Sequence, residues 1–142
     1  MTKSIWEFSK EEKEEKTPFD FLVEYAGQLL EATDEIISGD VTRTYNDDNT
    51  GLIYTLYLVV PEMRYYSYKL IEVIQKDLVN VYPVDMILFG SAKQNRPKYE
   101  NVYSNQFESR LREFISSSMT KNILSGLKIQ LEIVRKYEGD RM

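Results

Sequence analysis

The side chains available for chemistry in this chain are carboxylates, hydroxyls and scattered bases, because its 142 residues include no His and no Cys. That composition excludes a Ser-His-Asp triad, a thiol nucleophile and the usual zinc ligand sets. Ser118-Met119-Thr120-Lys121 has the Ser-x-x-Lys spacing in which a lysine can activate a serine. The Ser-Asp-Asn and Lys-Thr-Gly companions of that motif are missing, so the segment reads as a helix junction. Tyr65 and Lys69 are spaced as the Tyr-x-x-x-Lys pair of short-chain dehydrogenases. That pair works from a helix beside a dinucleotide-binding glycine loop, whereas these residues fall on a predicted strand and no such loop is present. Asp34, Glu35 and Asp40, and separately Asp47 and Asp48, place carboxylates close together. Acid-base work by two carboxylates needs a cleft and one raised pKa, which solvated loops do not supply. Residues 46–51, Asn-Asp-Asp-Asn-Thr-Gly, hold calcium-type side chains but lack the alternating spacing and the closing Glu, leaving a turn. No catalytic residue, metal or cofactor is expected, and the chain reads as a non-enzyme.

The net charge of −5 is unevenly spread. Residues 18–62 carry nine acids and one base, a net of −8, while residues 63–142 carry thirteen bases and nine acids, a net of +4. An acidic first half disfavours phosphate-backbone binding, which depends on Lys and Arg displacing counterions, so nucleic acid is not the expected partner. The aromatic strands lack the Lys/Arg-Gly-Phe/Tyr signature of RNA-binding sheets. A basic polypeptide is the natural complement. The segment SAKQNRPKYENVYS, with Lys93, Arg96 and Lys98, is the most basic stretch and reads as a solvated loop.

The elements that must position these groups follow from pattern. Residues 1–16 read as a charged, mobile arm in which Ile5, Trp6 and Phe8 are poised to dock on the sheet or on a partner. Thr17-Pro18-Phe19-Asp20 starts a helix predicted to run to about Ala32. A short strand over Asp40–Tyr45 leads through the Asn/Asp/Gly turn into Leu52–Val60, which is apolar at successive positions and therefore expected to be covered on both faces. A third strand carries Tyr66, Tyr68, Leu70 and Ile74 on one side and Tyr65, Ser67, Lys69, Ile71 and Val73 on the other. A fourth, Val81–Phe89, contains Pro83 and is expected at the sheet edge. Two helices follow, one opened by Asn105 and Glu108 with Phe107, Leu111, Phe114 and Ile115 inward, the other capped by Thr120 with Ile123, Leu124, Leu127, Leu131 and Val134 as its stripe.

The expected fold is α+β: an N-terminal helix, a four-stranded antiparallel meander and two C-terminal helices on the sheet, in one domain over residues 17–142. The N-terminus lacks the apolar core of a secretory signal and no apolar run approaches the roughly 20 residues of a membrane span, so a cytoplasmic protein is expected. The expected function is a protein-interaction module of adaptor, chaperone-like or immunity type. Trp6, Tyr54, Tyr57, Tyr66 and Tyr68 are its candidate partner-binding residues, and a homodimer is one candidate assembly. The alternative is a small-ligand-binding domain with a pocket between sheet and helices, lined by residues such as Tyr66, Tyr68, Phe107 and Leu111. A carboxylate-dependent enzyme ranks third.

Overall fold

The computed structural model describes residues 16–90 and 96–139. The expectations for the N-terminal arm, for Ile5, Trp6 and Phe8, and for Lys93 lie outside the described residues. Helix α1 (Pro18–Ala26) starts where the capping pattern places it: the Asp20 N–H donates to Thr17 Oγ1 (3.2 Å) and the Thr17 N–H donates back to Asp20 Oδ2 (3.0 Å). It does not run on to Ala32. The Gln28 N–H bonds the Tyr25 carbonyl three residues back, tightening the chain at Gly27-Gln28, and a separate single turn, α2 (Leu29–Ala32), follows. Asp34 and Glu35 then take left-handed φ values of 53° and 66° and swing the chain into the sheet.

The sheet has five antiparallel strands in sequence order, not four: β1 (Ser38–Tyr45), β2 (Leu52–Val60), β3 (Tyr66–Gln75), β4 (Val84–Leu88) and β5 (Lys98–Val102). A 3-10 turn, Pro61–Met63, joins β2 to β3. Helices α3 (Ser104–Ser116) and α4 (Ser118–Gly139) complete an α+β chain. The fifth strand lies in the segment that the sequence presents as a basic loop. Its pairing makes β4 an interior strand, and Pro83 precedes β4, so no ladder N–H is lost. Thr120 is not the cap of the last helix: its N–H donates to Ser117 Oγ (3.2 Å), and its own hydroxyl is buried against the Phe114 carbonyl (2.6 Å). Similarly, Tyr103 stands at the start of α3, and Glu108 accepts from the Tyr25 hydroxyl (3.0 Å).

All helices lie on one face. Register places Gly39, Val41, Tyr54, Leu56, Leu58, Ile71, Val73 and Met86 on a common side, and that side meets α1 at Gly39, where a Cβ would come 2.7 Å from Ala26 Cβ. The Tyr99 ring stacks on Phe114 of α3 at 4.9 Å on the same side. Leu22, Leu58, Val60, Ile71, Met86, Phe107 and Leu111 form the centre of the core. The strict alternation expected for β3 is broken because Leu56 pairs with Ile71 while Tyr57 pairs with Lys69. Leu70 is the extra residue of a bulge, and both it and Ile71 are buried. The second face of β2 is not covered as expected. Ile53, Tyr57 and Val59 are only half-buried, and among the described residues no helix lies over them. Thr55 is sheltered between its cross-strand neighbours, Thr42 and Glu72, and Lys69 holds Glu72 at 3.0 Å across that face.

Candidate functional site

The four candidate tyrosines that are described do not share one surface. Tyr54 is 4% exposed, its ring packs on Phe19 at 5.8 Å and its hydroxyl donates to Gln75 Oε1 (2.9 Å), so it is a core residue with a satisfied polar end. Tyr57 lies half-buried on the opposite face. Tyr66, 47% exposed, and Tyr68, whose hydroxyl donates to the Phe89 carbonyl (3.4 Å), border a shallow cleft with Met119, Ile123 and Leu127 of α4. Phe107 and Leu111, expected in a pocket, are fully packed.

The candidate chemical groups are dispersed as well. Tyr65, in the left-handed region at φ 59°, ends the turn before β3, whereas Lys69 is held by Glu72 and lies 4.8 Å over the Phe89 ring. Arg96 stacks 4.3 Å over the same ring and Lys98 pairs with Glu100 at 3.3 Å. Among the described residues no group of three His, Cys, Asp or Glu side chains is placed to hold a metal ion. The shifted titrations belong to surface pairs. Arg135 hydrogen-bonds Glu62 (2.7 and 2.8 Å) and holds that carboxyl below its ordinary value, and the Tyr99 hydroxyl does the same for Glu113.

Two features are candidate sites. The first is the edge of the sheet at β1. The Asn46 N–H donates to the Gly51 carbonyl (3.1 Å), and antiparallel pairs alternate between bonded and non-bonded. With the register of Thr44 to Ile53 and Thr42 to Thr55, residues 40, 42 and 44 therefore exchange bonds with β2. The N–H and C=O groups of Gly39, Val41, Arg43 and Tyr45 point out of the sheet, and among the described residues no hydrogen bond reaches them. Natural edges are blunted by shortness, proline, bulges or lysine. The opposite edge, β5, is so protected: five residues long, preceded by Pro97, with Lys98, an irregular register and Asn101 at φ 53°. The β1 edge runs eight residues in regular register with no proline, bulge or lysine, and its charged side chains are Asp40 and Arg43. Acids flank it at both ends, Asp34 and Glu35 before and Asp47 and Asp48 after, all exposed. The Val23 and Leu30 side chains of α1 and α2 are exposed too. The meander order already makes the first strand an edge; the pattern of donors along it needs the register.

The second is an apolar cavity of about 110 Å³ between the helices and the sheet, floored by Leu56, Leu58 and Leu70 and walled by Leu29, Ile115 and Leu124. Comparison with known protein families, with curated proteins and with solved structures returns no match to this chain.

Proposed function

We propose that this chain is a non-enzymatic protein-interaction module, of adaptor, chaperone-like or immunity type, that accepts an extended segment of a basic partner polypeptide as an added strand beside β1. The observation that carries this reading is the run of four outward residues, Gly39, Val41, Arg43 and Tyr45, whose backbone groups have no partner among the described residues. Strand addition draws its affinity from such main-chain bonds. The acids at each end of the edge, and the net charge of −8 over residues 18–62, favour Lys and Arg at both ends of the incoming segment. A second copy of this chain fits less well. A two-fold pairing that uses all four outward residues sets Thr42 against its own counterpart and lays Asp34 and Glu35 beside the Asp47-Asp48 turn of the other copy. Like charges then meet at both ends.

The test is capture of the tagged protein with its partner from host cells, with Val41→Pro as the blocked edge. The Val41 N–H points outward, so proline removes a docking donor and leaves the ladder to β2 intact. The expected result is loss of the partner with V41P, and in the wild-type complex slowed amide exchange at Gly39, Val41, Arg43 and Tyr45. A partner that V41P retains, with those four amides still exchanging freely, overturns the reading. A dimer by light scattering that V41P dissociates reassigns the edge to a second copy.

A further inference from the structure

The apolar cavity is independent of the β1 edge and has a chemistry of its own. It lies beneath the break between α1 and α2, and its lining is drawn from all four helices and two strands. Of the polar residues in its lining, Gln28 stands at the exposed rim, and the hydroxyls of Tyr25 and Thr120 are already hydrogen-bonded. The Tyr25 hydroxyl donates to Glu108 (3.0 Å) and accepts from Arg112 Nε (2.8 Å), while Thr120 Oγ1 donates to the Phe114 carbonyl (2.6 Å). A buried water needs two to four polar partners, and this wall offers none at depth, so water is a poor occupant. The volume, about 110 Å³, is of the order of the roughly 150 Å³ at which a cavity lined by Leu, Ile and Phe takes up benzene. Access is built in as well: α2 is a single turn that contributes no buried residue, and Gln28 and Ala32 at the rim are exposed.

We infer that this cavity is a binding site for a small, uncharged, apolar ligand about one ring in size, a monocyclic aromatic or a short branched alkyl group, entering past α2. A charged ligand is excluded because no counter-charge reaches the floor formed by Leu56, Leu58 and Leu70. The shape of the site also fixes how it is blocked. Leu124→Phe from α4 and Ala32→Leu from α2 each fill it from a different wall, so a folding defect in one variant leaves the other informative.

The experiment adds benzene to the intact chain and follows the melting temperature together with the methyl resonances of the leucines. In wild type, benzene is expected to raise the melting temperature and to move the methyl signals of Leu56, Leu58 and Leu70. In a filled variant both responses are lost. Unmoved methyls with an unchanged melting temperature near the solubility limit of benzene overturn the site. Responses that survive in both filled variants overturn it too, because they place the binding elsewhere.

Discussion

Gly39 and Gly126 carry opposite consequences for the same substitution. At Gly39 a Cβ would lie 2.7 to 2.9 Å from the Cβ, Cα and carbonyl oxygen of Ala26, so α1 seats directly on the strand and two of the three obstacles are backbone. Gly39→Ala must push the helix off the sheet, and overpacking of this kind costs about 1–3 kcal/mol. At Gly126, inside α4, a Cβ would meet nothing within 4 Å. Gly126→Ala is therefore expected to stabilise by roughly 0.5–1 kcal/mol through the lower entropy of the unfolded chain. Urea unfolding of the two variants checks the pair: the midpoint drops for G39A and rises for G126A. Tyr54 makes the complementary point. Its place in the run Leu52–Val60 marks it as a strand residue, but Phe19 and Gln75, which make it a core residue, arrive from 35 and 21 positions away. Residue type alone therefore could not separate it from Tyr57.

Among the elements, those with strong local signals match their sequence pattern: the capping box at Thr17, the β2 run, and the apolar stripes of α3 and α4, from which Phe107, Leu111, Leu127 and Leu131 are buried. The elements that diverge depend on non-local pairing. Residues 98–102, Lys-Tyr-Glu-Asn-Val, have little strand propensity, and they become β5 because β4 offers an unpaired edge. The bulge at Leu70 shifts which β3 residues face the helices, and period-two counting has no means of detecting an inserted residue. Of the candidate site only the acidic first half was legible in the sequence, whose aromatic runs single out Tyr54, Tyr57, Tyr66 and Tyr68 rather than β1; the outward residues follow from the register. That register makes a prediction about the free protein. Amide exchange along β1 is expected to alternate, slow at Asp40, Thr42 and Thr44 and fast at Val41, Arg43 and Tyr45, with the difference lying in opening of the ladder to β2. Uniform protection of all six amides would mean that the edge is already covered.

For the molecule as a whole, the absence of His and Cys removes the side chains that titrate between about pH 5 and 8. What remains is a set of surface contacts with definite signs. Glu62 is held below its ordinary value by the hydrogen bond from Arg135, Glu113 by the Tyr99 hydroxyl, and Asp77 by the Val79 N–H. A carboxyl lowered on folding contributes stability above its unfolded pKa, about 3.9 for Asp and 4.3 for Glu, and loses it as the pH falls through the folded value. Tyr99 is shifted the other way, raised by its hydrogen bond to Glu113. Its contribution is present below about pH 10 and is lost as the pH rises through the folded value. Stability to urea is therefore expected to be flat from roughly pH 6 to 8.5, to fall below about pH 4.5, and to fall again only in the alkaline range. Glu62→Gln should lower the plateau slightly and shallow the acid limb, since the amide neither titrates nor carries the charge that Arg135 pairs with, while α4 keeps Leu127 and Leu131 in the core. Urea midpoints measured at half-unit pH intervals decide the matter. A step near neutrality would show a titrating group coupled to folding that none of these side chains supplies, and an unaltered acid limb in E62Q would remove the Arg135 pair from the forces that hold α4 against the Pro61–Met63 turn.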